Sequence, residues 1–240
     1  MQILSAGAVK PGLTKVIEAF RRDTGSATKV SFSTAPAILE RISGGEAVDI
    51  VVAPQNVLDQ LAKTGKIPAA GGVTLGRIGV GVMVREGASL PQIADVDSFR
   101  DALLSADSIV YNQASTGIYL EALFDRLGLG TEIRAKSTRY PDFAAVLDHV
   151  SKGKGYELGL GATTVIIENS HKGITFAGAL PAVIQNYTTY VAATIRNSDS
   201  QESARQFLGY LSSPPAKSLL WAAGIQVPRT GLVSTRSFER

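Results

Sequence analysis

Leu4-Ser5-Ala6-Gly7-Ala8-Val9-Lys10-Pro11 carries a short apolar strand, begun at Ile3, through a run of small residues and into a helix opened by Pro11. Small side chains let the backbone come close to a guest. Proline at a first helical position fixes φ and has no N–H to leave unpaired. The other first-turn N–H groups face outward, where they can bind an anion. Leu13, Val16, Ile17 and Phe20 then recur at helical spacing and predict one buried face, ended by Gly25. Residues 29–33 alternate and read as a strand. Thr34-Ala35-Pro36 repeats the opening device before a helix carrying Ile38, Leu39 and Ile42. Residues 48–53 form a nearly continuous apolar run, as expected of a buried parallel strand. Val57, Leu58 and Leu61 begin a third helix that closes at Gly65. Three strand–helix units in series predict an α/β fold with a doubly wound sheet. Ligands of such sheets bind beyond the carboxyl ends of the strands. The turns at residues 5–10 and 33–36 are therefore expected side by side on one rim.

Farther along, the pattern changes. Residues 73–84 are long, extended and dotted with Gly76, Gly79 and Gly81, which reads as a strand leaving the first unit. A second strand–helix series follows. A helix spans 96–104 and a strand 108–111. Gln113-Ala114-Ser115-Thr116-Gly117 is a turn of small residues before the helix of Tyr119, Leu120, Leu123, Phe124 and Leu127. Residues 135–140 read as a short strand, and Pro141 opens a helix of Phe143, Val146, Leu147 and Val150. Residues 158–167 begin as a strand, and 187–195 form a second long strand. Two helical faces end the chain: Ala204, Phe207, Leu208 and Leu211, then Leu219, Leu220 and Ala223. The economical arrangement has two lobes, residues 1–79 with 192–240 and residues 80–191, joined by crossover strands near 80 and 190 that act as a hinge. The ligand then lies in the cleft.

Composition narrows the function. The 240 residues are 45% hydrophobic and 19% charged, with a net charge of +3, ordinary values for a globular protein. Lys and Arg are spread rather than clustered, which argues against a nucleic-acid or membrane footprint. Without Cys there are no disulfides, thiolate metal sites or Cys nucleophiles. With only His149 and His171, a His-rich metal site is not expected, and His149 reads as a helix-surface residue. No metal and no cofactor are expected. No apolar run reaches the roughly 18 residues of a membrane span, and no charged-then-apolar leader precedes Ile3. Two compartments stay open: periplasmic if a leader was trimmed, cytoplasmic if Met1 is native.

Residues 5–67 resemble the type II periplasmic binding proteins of the molybdate-binding kind, which serve ABC transporters. The resemblance rests on the small-residue turn after the first strand, the Glu18-Ala19-Phe20 and Thr24-Gly25 helix end, and Phe32-Ser33-Thr34-Ala35 with Ile38. Gly44-Gly45-Glu46-Ala47-Val48-Asp49-Ile50-Val51 and Leu61-Ala62-Lys63-Thr64-Gly65 continue it, as do Ala145-Val146-Leu147, Gly153-Lys154-Gly155 and the Tyr-rich return strand. It implies a two-lobed fold with mixed sheets, helices on both faces and two crossover strands. It also implies an oxyanion held by hydroxyls from the first two turns, by backbone amides of the second lobe and by a Tyr on the return strand. Mapped onto this sequence, the ligand-binding residues are Gly7 and Ala8, Thr34 and Ala35, Ala114, Ser115 and Thr116, then Gly161, and Tyr187 or Tyr190. Gly7-Ala8 stands where the family has Ser, so the ligand is open among molybdate, tungstate, sulfate and small carboxylates. The resemblance implies a monomer, with a transporter permease as partner.

Lys10 could bring a positive charge to the rim or be a solvated lysine. Ser115 and Thr116 could bind ligand or only cap their helix. Tyr187 and Tyr190, three apart on a strand, face opposite sides, so one packs and one reaches the cleft. Arg139-Tyr140 could clamp a carboxylate or be solvated and packed. The carboxylates of Glu40, Glu46, Asp142 and Asp148 read as solvated helix edges. No nucleophile elbow or phosphate loop is present, and Gly76, Gly79 and Gly81 lie inside a strand, the wrong context for a dinucleotide fingerprint. The leading expectation is a non-catalytic anion-binding protein. The alternative is an isomerase of a small unsaturated polycarboxylate, like aconitate isomerases, with Lys10, Tyr140 or Tyr190 as the acid/base group.

Overall fold

The computed structural model describes residues 1–227. The last stretch assigned above to the first lobe, residues 228–240, lies outside the described residues.

The opening reads as expected. Strand β1 (Gln2–Ala6) leads into a 3-10 turn (Gly7–Val9) and helix α1 (Lys10–Thr24), with Pro11 in its first turn and Gly25 ending it at φ 71°. Then come β2 (Lys29–Ser33), α2 (Ala35–Ser43), β3 (Ile50–Pro54), α3 (Gln55–Lys63) and β4 (Val73–Ile78). All five residues of β3 are buried. Because successive side chains point to opposite faces, this sheet is covered on both sides.

The long Gly-dotted segment is two strands in two sheets. At Gly79 the chain leaves β4 and enters β5 (Val80–Arg85) of a second sheet. That sheet is built by α4 (Val96–Ser105), β6 (Ser108–Asn112), α5 (Ser115–Arg126), α6 (Gly130–Ala135), β7 (Ser137–Tyr140), α7 (Phe143–Lys152), β8 (Glu157–Ala162), α8 (Thr163–Glu168) and β9 (Ile174–Ala179). The chain returns through β10 (Thr188–Thr194) and ends in α9 (Gln201–Leu211) and α10 (Pro214–Ala222).

The strand orders are β2-β1-β3-β10-β4 and β7-β6-β8-β5-β9. In the first, β1 runs parallel to β2 and β3, and β10 runs antiparallel to β3 and β4. In the second, β6 runs parallel to β7 and β8, and β5 runs antiparallel to β8 and β9. Each sheet thus has one reversed strand in its fourth position, and that strand is a crossover. The fold is α/β with two mixed five-stranded sheets, the two-lobed architecture expected.

Phe20, Phe207 and Tyr210 interlock edge to face, with centroids 5.0 and 5.3 Å from Phe20, and this brings α9 back onto α1. The two crossovers are tied by one side chain. The Val80 amide donates to Gln185 Oε1 at 2.7 Å, and Gln185 Nε2 donates to the Val80 carbonyl at 3.0 Å.

Four elements depart from the sequence reading. Helix α6 and strand β9 were not foreseen. Helix α5 starts at Ser115, so the small residues expected to form a turn are its first turn. Asp142, rather than Pro141, opens α7: its carboxylate accepts the Ala145 N–H at 2.9 Å.

Candidate functional site

Strands β1, β2 and β8 end in small residues, Ala6, Ser33 and Ala162, and hand over to helical turns. The ends of β1, β2, β6, β7 and β8 meet around a cleft of about 1030 Å³.

The helices that start there lack side-chain caps, with one exception. No side chain bonds the first turn after Ala6, or at Thr34 before α2, Ala114 before α5 or Ala162 before α8. First-turn N–H groups have no intrahelical partner and carry the positive end of the helix dipole. Only α7 is capped, by Asp142. The cleft therefore faces helix starts without side-chain caps, although at α8 the Thr163 N–H is taken by the Gly79 carbonyl.

Close packing sets where these turns lie. A Cβ on Gly117 would stand 1.7 Å from the Asn112 carbonyl oxygen, so only glycine lets α5 sit down on the end of β6. That places Ser115 and Thr116 at the cleft wall. Across the cleft, the Thr164 hydroxyl, 1% exposed as a residue, donates to the Ala8 carbonyl at 2.7 Å. The Thr163 amide donates to the Gly79 carbonyl at 3.0 Å. Helix α8 of the second sheet thus holds the Gly7–Val9 turn of the first sheet.

Most of the sequence-predicted residues gather here. Gly7, Ala8, Lys10, Thr34 and Ala35 line the cleft from the first sheet, and Ala114, Ser115 and Thr116 line it from the second. Tyr190 reaches it from the return strand. Burial pushes the Tyr190 hydroxyl far above its usual pKa, against a smaller opposing effect of its bond with Thr188, so it is a neutral donor. The Lys10 ammonium lies 5.7 Å from the Phe32 ring centroid, and both line the cleft.

Tyr140, Gly161 and Tyr187 are placed elsewhere. The Tyr140 hydroxyl is bonded to His149 Nδ1 at 2.9 Å, and its ring packs against the buried cluster that includes Val110 and Val146. His149 is thus a half-buried partner rather than a free surface residue. Gly161 is buried in β8, and its open side is filled by the Phe143 ring, 1.9 Å from where a Cβ would be. Tyr187 faces the other way and is 40% exposed, with the Arg77 guanidinium 4.2 Å from its ring centroid. Arg139 is no free clamp, since it pairs with Glu121 at 2.8 Å.

The sequence reading missed Asn112, Asp142 and Phe143 on the strand-end side, and Glu168, His171 and Lys172 beyond α8. An Asp ahead of a helical apolar stripe was the available signal for Asp142. Glu168 ends α8, and His171 and Lys172 sit on the connection to the unforeseen β9, so no local pattern marks them. Among the described residues, no three His, Asp or Glu side chains converge as metal donors would. No described helix is long and apolar enough to cross a membrane.

The profile of the bacterial extracellular solute-binding protein family matches residues 1–226. The chain is 30% identical over 236 residues to an aconitate isomerase from Pseudomonas sp., covering 94% of this chain and 87% of that protein. Among solved structures, the periplasmic molybdate-binding protein of Azotobacter vinelandii superposes with a TM-score of 0.80 at 18% identity, over 95% of this chain and all of that one (100%). The sulfate-binding protein SubI of Mycobacterium tuberculosis gives 0.75 at 17% identity, over 94% of this chain and 85% of that one. At these identities the structural likenesses speak for the fold.

Proposed function

The chain belongs to the bacterial extracellular solute-binding protein family, and we propose that it binds a small anion, an oxyanion or a carboxylate, in the cleft between its two sheets. One observation carries the reading: four uncapped helix starts and the neutral donor Tyr190 open on a single cavity. A partly dehydrated anion binds well when each oxygen meets a donor, and backbone N–H groups supply donors without a fixed countercharge. Lys10 adds long-range attraction. The lobes would divide at Gly79 and in the return segment around Gln185, and closure would exclude water. In this reading the protein is a monomer outside the cytoplasm that delivers its solute to an ABC transporter permease. The test is calorimetry with thermal shift against molybdate, tungstate, sulfate, phosphate and small carboxylates. Stabilisation by at least one of them is expected, and stabilisation by none overturns the reading.

A second reading is favoured by the 30% identity to an aconitate isomerase. Moving the double bond of an unsaturated polycarboxylate takes a proton from one carbon and returns it to another. That requires one acid/base group beside bound carboxylates. Of the three groups expected, Tyr140 is occupied by His149 and Tyr190 is a poor base, because burial keeps its proton on. Lys10 stays at the cleft, joined there by Glu168 and His171. Incubation of cis-aconitate with the protein in heavy water, followed by proton NMR, separates the readings. Appearance of deuterated trans isomer supports catalysis, and unchanged substrate retires it for this compound.

A further inference from the structure

We propose that Thr164 is a fulcrum between the two lobes: a third tie, beside the two crossover strands, that couples the Gly7–Val9 turn to movement of the second lobe. The proposal rests on the two-lobed hinge of the anion-binding reading and adds what regulates that site.

Placement is the first ground. Strand β1 is parallel to β3, β10 is antiparallel to β3, and β4 is antiparallel to β10. The ends of β1 and β4 and the start of β10 therefore lie on one rim of the first sheet. The chain crosses to the second sheet at two neighbouring places on that rim, after β4 and before β10. Thr164 meets the rim at a third place, the turn after β1, through its 2.7 Å bond to the Ala8 carbonyl. Only β3 stands between β1 and β10, so this tie joins the rim about 10 Å from the return crossover, two strand spacings away. Two neighbouring strands let a lobe both open and twist. A third tie farther along the same rim leaves opening free and resists twist.

Anchorage is the second. Helix α8 packs on β5, β8 and β9 of its own lobe, and on the Gly7–Val9 turn and α1 of the other. The Thr163 N–H holds its start to the Gly79 carbonyl, at the outgoing crossover. Thr164 is buried, and its methyl carbon faces Gly224 of the first lobe.

The turn itself is the third. Gly7 and Ala8 line the cleft, and Thr164 does not. The Gly7 carbonyl accepts the Lys10 N–H, and the Ala8 carbonyl accepts the Thr164 hydroxyl. Both carbonyl oxygens would repel an anion if they were free, and the second is engaged only by the other lobe. A shift of that lobe that breaks the bond releases the Ala8 carbonyl, so lobe position and the state of the turn are linked.

The experiment needs no ligand. Because the chain has no Cys, Glu40→Cys on α2 and Asp101→Cys on α4, both exposed, give one spin-label site on each lobe. Pulsed electron spin resonance on the labelled full chain reads the interlobe distance distribution. Hydrogen exchange on the unlabelled chain reads the Lys10 amide, with Val51 and Val52 of β3 as the reference. Thr164→Val keeps the shape and removes the hydroxyl. It should widen the distance distribution and speed Lys10 exchange about tenfold, the scale of one lost hydrogen bond, with Val51 and Val52 unchanged. Thr164→Ala should act in the same direction, so the result does not hang on one variant folding. Thr164→Ser keeps the hydroxyl and should match the wild type in both measurements. An unchanged distance distribution overturns the proposal, and so does unchanged Lys10 exchange. Equal acceleration at Lys10, Val51 and Val52 also overturns it, because the bond would then serve overall stability alone. Failure of every anion in calorimetry would count against the binding reading and leave these two measurements readable.

Discussion

The rim made by the first sheet lines the cleft with the small residues Gly7, Ala8 and Ala35 beside Lys10, Thr34 and Tyr190. The rim made by the second lines it with Ser115, Asp142, Glu168 and Lys172. The strand orders are the same, so topology alone does not set this difference. Packing does. At Gly7 an added Cβ meets nothing within 4 Å, whereas at Gly117 and Gly161 it would collide with the Asn112 carbonyl and the Phe143 ring. The first rim is open and spare. The second is tightly built and chemically varied.

The sharpest way to break this contrast is Gly117→Ala. The added carbon would lie 1.7 Å from the Asn112 carbonyl oxygen, so α5 must lift off β6. A loss of about 3 kcal/mol or more is expected in urea unfolding. A loss near zero would mean that the second rim has slack.

A smaller effect is expected at Asp49, where the first lobe depends on acid. Its carboxylate accepts the Gln2 N–H at 2.6 Å and the Ser198 hydroxyl at 2.6 Å, joining the start of β1 to the segment after β10. Burial alone would push this carboxyl up, but the bonds from Ser198 and Gln2 prevail and hold it below its usual range. The stabilisation is full above the ordinary carboxylate value of about 4 and is lost as pH falls through the depressed one. Asp49→Asn should lose about 1–2 kcal/mol at pH 7. It should also flatten the acid limb of a stability-against-pH curve. An unchanged acid limb would remove Asp49 from the account.

Asp142→Ala deletes the one side-chain cap at the cleft. About 1 kcal/mol of stability should go. Affinity for any bound anion should rise several-fold, because the helix start is freed and a like charge removed. The matching change at the first rim, Thr34→Ala, removes no cap bond. It should stay within about 0.5 kcal/mol. The smallest structural effect is expected for Gly7→Ser, also within about 0.5 kcal/mol. It returns the hydroxyl that the resemblance to molybdate-binding proteins leads one to expect, and should shift preference toward sulfate and molybdate in calorimetry. A large stability loss there would show that the first rim is not open.

Much of the fold was legible because periodicity is local. Residues 1–65 read correctly, since β1, β3 and the stripe of Leu13, Val16, Ile17 and Phe20 each announce themselves. Helix α6 was not legible: it has six residues and two buried positions, Gly130 and Ile133, too short a pattern for a period. Strand β9 was missed because its middle, Thr175-Phe176-Ala177-Gly178, is only half-buried on an edge. In the site, Tyr190 reaches the cleft from β10, while Tyr187 precedes that strand and is exposed. Tyr140, read as clamp or packing, bonds His149, and Gly161 faces the Phe143 ring; a hydroxyl's partner and a ring's position are set by residues distant in sequence or by rotamers. Lys172 and His171 carry no local signal, and only the three-dimensional arrangement brings them to the cleft.

The reversed strand of the first sheet has a consequence for how the molecule is made. Strand β10 lies between β3 and β4, yet the ribosome delivers it after the whole of the second sheet, whose strands run without interruption from β5 to β9. During synthesis the second half can close first, while the earlier half waits with a slot one strand wide. Truncation before Thr188 would leave β4 with no neighbour, and a nascent chain at that stage is a natural client for a holding chaperone.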